Sequence, residues 1–247
     1  MLYDSGVFVG FNNYIDTLND PIFRESILRT FYFISVSATI ELIWGIGLAL
    51  ALNKITRGKR ILRGTIIIPL MLAPVAVGSI WNYMYFPEGG AINILFRLLH
   101  FKEQVWLADT KTGMLALILV ELWQYTPFGA LIILAGLQTI PQELYESAQV
   151  DGALKRQIFR YITLPLLTPL FVLVAIFNVM RQFKTFDIVY TISKGGPGHS
   201  TNLISYQIHQ TAYHFYKIGK AAAQSFLLLV IVLILIMIFI RYIRKFY

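Results

Sequence analysis

Five stretches of this chain are too long and too apolar to be left in water, and they dictate most of what it can become. About 20 helical residues cross ~30 Å of hydrocarbon, and runs of that kind lie at roughly 30–53, 64–86, 113–137, 163–190 and 221–243. Helices are the expected form, because each satisfies its own backbone hydrogen bonds where no water can. The expected fold class is all-α, a polytopic transmembrane helical bundle of about five spans. Residues 1–29 form an N-terminal segment, 30–243 the membrane domain and 244–247 a tail. Only 14% of residues are charged, against about 25% in a soluble domain, too few to cover a water-facing surface.

Orientation follows from lysine and arginine. The linker after the first run carries Lys54, Arg57, Lys59, Arg60 and Arg63; the linker after the third carries Lys155, Arg156 and Arg160; the C-terminus carries Arg241, Arg244 and Lys245. These stretches alternate so as to share one side, which the positive-inside rule makes cytoplasmic. The N-terminus, the 87–112 loop and the 191–220 segment then face outward. The net charge of +8 sits at the ends of apolar runs, which suits lipid headgroups and not nucleic acid. Met1 to Asp20 lacks the basic start and apolar run of a signal peptide.

Several chemistries find no residues to carry them. There is no cysteine, so disulfides and thiolate metal sites are excluded. No G-x-x-x-x-G-K-[ST] occurs, so ATP is not held by a P-loop here. His100, His199, His209 and His214 show no H-E-x-x-H spacing, and no serine sits in a G-x-S-x-G elbow. The expectation is a non-enzyme without a metal or cofactor of its own. Within the first run Gly45, Gly47, Ala49 and Ala51 make two small-xxx-small pairs, fit for packing within the subunit or between subunits. Pro69 and Pro74 in the second run and Pro127 in the third are expected to kink or break those helices.

The linker between the third and fourth runs, 138–163, is not a plain connector. It lies in the stretch IPQELYESAQVDGALKRQIFRYITLPLLTP, residues 140–169. Pro141 suits a first helical turn, and Glu143 places acid near the positive end of the dipole. Leu144, Tyr145 and Ala148 give an apolar face to about ten helical residues, which Gly152 ends. A second amphipathic turn follows, with Ile158, Phe159 and Ile162 apolar and Lys155, Arg156 and Arg160 basic; Pro165 opens the next span. An ordered amphipathic elbow outside lipid has to dock on something.

This elbow resembles the EAA loop of binding-protein-dependent ABC importer permeases. The pattern is Glu-Ala-Ala, three residues, Gly, nine residues, then Ile-x-Leu-Pro. The chain reads Glu146-Ser147-Ala148, three residues, Gly152, nine residues, then Ile162-Thr163-Leu164-Pro165, with Asp151-Gly152-Ala153 also fitting. Ser147 is the one departure, small for small. Phe8 to Tyr14, FVGFNNY, is similar to the family's FVGLxNY entry to a span. Phe183 to Ser225 is similar to the F-x-x-F-D…G-G-P-x-x-x-T segment of the carbohydrate (maltose-type) branch, through Phe186-Asp187, Gly195-Gly196-Pro197, Thr201 and Ala221-Ala222-Ala223.

The resemblance implies a type I ABC importer permease with a short cytoplasmic coupling helix, in a bacterial or archaeal cytoplasmic membrane. It implies a second, different permease subunit, a cytoplasmic ATPase dimer that binds ATP and Mg, and an extracytoplasmic solute-binding protein. Glu143, Glu146, Ser147, Ala148, Asp151, Gly152, Ala153, Leu164 and Pro165 would then form the ATPase-coupling set. Such permeases usually carry a further span ahead of the FVG segment. That span is absent from this sequence, and the outward N-terminus is what its loss would leave.

Polar residues at membrane depth are costly and therefore candidates for function. Glu41 lies in the first run, and Glu121, Trp123, Gln124 and Tyr125 in the third. In the fourth, Asn178, Arg181, Gln182 and Thr185 share one helical face. Asn178, Arg181, Gln182, Phe183, Phe186, Glu121, Trp123 and Tyr125 are the candidate substrate path, because sugars are held by planar polar groups and aromatic faces. The two acids pairing with Arg181 or Lys184 to hold helices together is the alternative. Gly195, Gly196, Pro197 and Thr201 lie in an outward loop, a docking point or gate for the binding protein. The depth residues by themselves also leave an ion-coupled secondary transporter or channel open, and Arg181 and Lys184 leave glycerol phosphate or another polar nutrient open beside sugars.

Overall fold

In the computed structural model the described residues are 8–55 and 58–244. Arg57 and Lys245, two of the orientation charges, lie outside them, as do the first residues of the N-terminal segment and residues 245–247 of the tail. Eleven α-helices are formed among the described residues: α1 (Asn12–Asn19), α2 (Pro21–Lys54), α3 (Lys59–Met71), α4 (Pro74–Met84), α5 (Ala91–Leu98), α6 (Thr110–Thr139), α7 (Gln142–Val150), α8 (Lys155–Ile158), α9 (Leu164–Gln182), α10 (Ile204–His209) and α11 (Ile218–Arg244). Three π-helical turns, Phe159–Thr163, Val189–Ser193 and Gln210–His214, are interleaved with them. Four helices are long and apolar enough to cross a membrane, or five if the broken pair α3 and α4 counts as one span. The all-α expectation holds.

The span boundaries differ from the expected ones for local reasons. α2 starts at Pro21 and not near 30, because proline suits a first turn and Asp20 caps it, accepting from the Ile22 N–H at 3.0 Å and the Phe23 N–H at 3.4 Å. The second run is not one helix. α3 ends at Met71, and Leu72 (ψ 138°) and Ala73 (ψ 133°) are extended before Pro74 restarts the helix at its first position. A residue ahead of proline is driven out of the helical region, so the break falls where Pro74 requires it. Pro127, by contrast, leaves α6 a continuous helix of 30 residues. The fourth run ends early: α9 stops at Gln182, and the Lys184 and Thr185 N–H groups turn back onto the Arg181 and Gln182 carbonyls.

The chain forms two compact units. The first comprises residues 1–36, 73–120 and 180–238. Its interior is aromatic, with Tyr85 5.4 Å from Trp81 and 5.5 Å from Trp106, and Phe96 edge-on to Trp106 at 5.2 Å. Buried Asn93 binds the connection after α5: its Nδ2 donates to Pro87 O and Gln104 O, while its Oδ1 accepts from Gln104 N and Trp106 Nε1. The starts of α2 and α11 are tied by Lys220 Nζ to Asp20 Oδ2 at 2.6 Å.

The second unit comprises residues 37–72, 121–179 and 239–247. Ala49, Leu52, Ile133, Leu134, Leu137, Leu167 and Val174 form its apolar core. Gly45 meets the α6 backbone so closely that an added Cβ would lie 3.3 Å from Ala130 N. The Gly45/Ala49 pair is therefore internal packing, whereas Gly47 and Ala51 are exposed, with nothing near the Gly47 position.

Burial alone would raise the Asp20 carboxyl pKa, but the Lys220 ammonium and the two backbone donors outweigh it and hold the group below its ordinary value. A depressed carboxyl stabilises above its unfolded pKa and loses that contribution as pH falls through the folded one. Asp20→Ala is expected to cost about 1 kcal/mol at neutral pH, in the range of a lost N-cap. The gap between its thermal midpoint in detergent and the wild-type value should begin to narrow as the pH falls through about 4 and close only below the depressed folded-state pKa.

Candidate coupling and transport site

The 140–169 stretch folds as the expected elbow, and its turn is specified by one residue. α7 carries no buried side chain, and its C-terminus closes in a Schellman motif. Gly152 N donates to Gln149 O at 3.0 Å and Ala153 N to Ala148 O at 2.9 Å, with Gly152 at φ +76°. A Cβ at Gly152 would meet nothing within 4 Å. Glycine is required there by backbone conformation and not by crowding. Gln142 Nε2 donates to Glu146 Oε1 at 2.8 Å, and the Leu154 N–H donates to Gln157 Oε1 at 2.7 Å, starting α8.

The elbow is fastened to the helix that follows. The Tyr145 and Thr163 hydroxyls lie 3.3 Å apart. Residues 155–182 run as one helical rod, with the π turn at Phe159–Thr163 inside it. Pro165 has no N–H and its ring crowds the carbonyl four residues back; the Leu164 N–H reaches Phe159 O in the wider π pattern. Pro165 thus sits in the first turn of α9, as expected, while the helical path continues back through the π turn to Lys155. Glu143, Glu146, Ser147, Asp151 and Gly152 are exposed, and Ala148 and Ala153 half-buried. Three apolar side chains are also left in the open, Leu144, Val150 at 87% and Leu154 at 69% exposed.

The candidate substrate path is divided between several places. In the second unit Asn178 is 1% exposed, and neither Nδ2 nor Oδ1 has a protein partner. The Phe128–Phe177 contact at 6.0 Å and the approach of Gly129 to Val174 put this part of α9 beside residues just after Thr126 on α6. Thr126 Oγ1 and Gln124 Oε1 are likewise buried without a protein partner. Gln124 Nε2 donates to the Leu72 carbonyl at 3.2 Å, a group freed by the break before α4. Glu41 and Glu121 are each 1% exposed and each has a partner within the fold. Trp123 is exposed, and Tyr125 half-buried.

In the first unit, Gln182 is buried and Arg181 half-buried, both engaged. Phe183 is 2% exposed and packs edge-on to Phe31 at 5.7 Å, within the core of this unit. Phe186 joins a cluster that sequence reasoning missed. His209 sits at its hub, 4.6 Å from Phe186, 5.7 Å from Tyr190, 6.5 Å from Tyr206 and 4.9 Å from Tyr213. The signal available was only the density of rings at 206–216.

The loop from Ser193 to Thr201 is clamped. Thr201 is fully buried; its Oγ1 donates to Gly196 O at 2.8 Å and lies 2.8 Å from Ser193 Oγ. Its methyl group would be 3.1 Å from a Cβ on Gly113. Gly195, at φ +77°, leaves no room beside the Tyr206 ring, 2.8 Å from a would-be Cβ. Gly196 and Pro197 are half-buried, so Lys194, Gly198 and His199 are the parts that outside molecules can reach. Thr201→Val is expected to lower stability by about 1–2 kcal/mol through the lost hydrogen bond and the stranded carbonyl, while His199→Ala leaves the melting temperature unchanged.

A family model described as the inner membrane component of binding-protein-dependent transport systems matches residues 42–246. The trehalose/maltose transport system permease protein of Thermococcus litoralis is 36% identical over 212 residues, covering 86% of this chain and 70% of that protein. The sulfoquinovosyl glycerol transport system permease protein of Agrobacterium fabrum is 36% identical over 237 residues, 96% of this chain and 77% of that one. The fold superposes with a TM-score of 0.88 on a chain of a bacterial ABC transporter involved in import of the acidic polysaccharide alginate, at 20% identity, covering 98% of this chain and 85% of that one.

Proposed function

This chain belongs to the family of inner-membrane components of binding-protein-dependent transport systems, and on that footing we propose that it moves a sugar or sugar-like solute into the cytoplasm by alternating access. It is a multi-pass permease subunit of an ABC importer. The solute class rests on relatives whose named cargoes are trehalose and maltose, sulfoquinovosyl glycerol and, in an Agrobacterium fabrum protein 32% identical over 244 residues, sn-glycerol-3-phosphate. Energy comes from ATP and Mg bound by a separate cytoplasmic ATPase pair. A second permease subunit completes the path, and a solute-binding protein delivers cargo on the outer side of the cytoplasmic membrane of a bacterium or archaeon.

The observation that carries the reading is the elbow. α7 has no buried side chain, and Leu144, Val150 and the Leu154 that follows the turn stand exposed on different sides of the elbow, so the whole short helix is open to a partner that surrounds it. The Schellman turn fixes α7 against α8, and the rod from Lys155 to Gln182 spans ~40 Å at 1.5 Å per residue. A displacement of α7 therefore travels along one helix to Asn178, whose amide, bare of protein partners, is fit to meet solute hydroxyls or path water. Coupling through a rigid element with two arrangements is the physical requirement for such a transmission.

The test is Gly152→Val. A β-branched residue in the left-handed region costs about 1–2 kcal/mol, and the turn reopens to avoid it. Uptake of radiolabelled maltose or trehalose in cells expressing the importer should fall at least ~10-fold, the effect of about 1.4 kcal/mol on a coupled step, and the ATPase subunit should no longer co-purify, with membrane insertion intact. Normal co-purification and ATP-dependent uptake would overturn the assignment of the elbow. Uptake abolished by an uncoupler but independent of any ATPase would overturn the importer mechanism as a whole.

A further inference from the structure

Helix α1 is amphipathic in the wrong sense for a protein in water. On a helical projection at 100° per residue, Phe11, Ile15 and Leu18 fall within about 60° of one another, and they are 78%, 54% and 54% exposed. The opposite face is the buried one, with Thr17 at 0% and Asn13 and Asp20 half-buried. A surface helix of a soluble protein turns its apolar stripe to the core and its polar face outward. Here the polar face is turned to the protein.

That inversion is held in place by specific contacts within the first unit. Asn13 lies against Gly219, its Nδ2 2.8 Å from a Cβ built there, and Asp20 at the end of α1 pairs with Lys220. Asp16, Asn19 and Lys217 line the polar cleft of 490 Å³ that these contacts border. The apolar stripe, for its part, does not stand alone. Phe11 touches Tyr14 at 6.0 Å, and Tyr14 meets Phe226 edge-on at 6.1 Å. Phe226, Leu229, Leu233 and Met237 are exposed along α11, a helix long and apolar enough to cross a membrane and little buried within the protein. The exposed apolar face of the span is thus joined to α1 through the Phe226–Tyr14–Phe11 contacts.

We infer that α1 is an interfacial helix lying in the headgroup–acyl boundary of the non-cytoplasmic leaflet, with Phe11, Ile15 and Leu18 in contact with phospholipid acyl chains and the Asp16–Lys217 cleft open to water. A helix of this sense buries its apolar face ~5–10 Å into that boundary. Its position at the start of α2, the end away from the basic linker after Lys54, selects the leaflet. It anchors the ends of α2 and α11 that meet it at a fixed depth through the Asp20–Lys220 pair.

The chain has no cysteine, which makes single nitroxide labels unambiguous. Ile15→Cys, Leu18→Cys, Asp16→Cys and Asn19→Cys are labelled in the full chain, with the subunits that co-purify, in vesicles of phosphatidylethanolamine and phosphatidylglycerol. Oxygen should collide with labels at 15 and 18 several-fold more often than a water-soluble nickel chelate, and the order should reverse at 16 and 19. Phe11→Cys repeats the measurement on the same stripe if either apolar position fails to insert. Nickel-accessible labels at 15 and 18 would overturn the inference in favour of a water-facing surface. Labels shielded from both reagents would overturn it in favour of a protein partner.

Discussion

A backbone carbonyl or amide left unpaired in hydrocarbon costs several kcal/mol, and the structure is organised around the places where this chain leaves the helical ladder. Each such place has its own remedy. At the break before α4 the Leu72 carbonyl is met by Gln124 Nε2 from α6. At the start of α2 the orphan donors of Ile22 and Phe23 are met by Asp20. At Gly152 the two bonds of the Schellman turn are made within the chain, as suits a site in water. At Pro165 the ladder widens into a π turn and does not break. The polar residues at depth are in part the cost of interrupting helices, and Gln124 shows one side chain capping backbone while its Oε1 remains without a protein partner.

The same economy separates rigid parts from responsive ones. The 193–201 loop, though glycine-rich, is held by a buried threonine and by a glycine pressed on a tyrosine ring. The elbow, rich in charge and without a buried residue in α7, is the part with surface to spare. Glycine means opposite things in the two places. Gly195 is demanded by both backbone and space, whereas Gly152 is demanded by the backbone alone, which leaves its exposed face free for a partner.

What the sequence made legible was whatever is decided within about ten residues. Hydropathy runs found the spans, and the Glu146-to-Pro165 spacing found the elbow, because turn, cap and proline lie next to the helices they limit. The Leu72–Ala73 break was foreshadowed by Pro69 and Pro74, but its partner was not: Gln124 lies 52 positions away, and no local pattern names it. Thr30 accepting the Ile204 N–H and Asp20 pairing with Lys220 were invisible for the same reason. The inverted sense of α1 was hidden because periodicity reveals that a helix has two faces and not which of them meets the protein.

The division of the expected substrate path has a sharper cause. Grouping Asn178, Arg181, Gln182 and Thr185 on one face assumed an α-helical period of 3.6 through to residue 190. The helix stops at Gln182, two turns follow, and Val189–Ser193 is then wound as a π turn. Each departure resets the phase, so residues beyond Gln182 no longer share a face with those before it. Phe183 falls inward against Phe31, and Phe186 is delivered to the His209 cluster. π turns insert a residue without ending a helix and concentrate at functional positions. In this chain one lies within the rod just ahead of Pro165 and two lie among the rings of the cluster, so the residues that defeat a periodic reading are the ones that re-aim the side chains around α9.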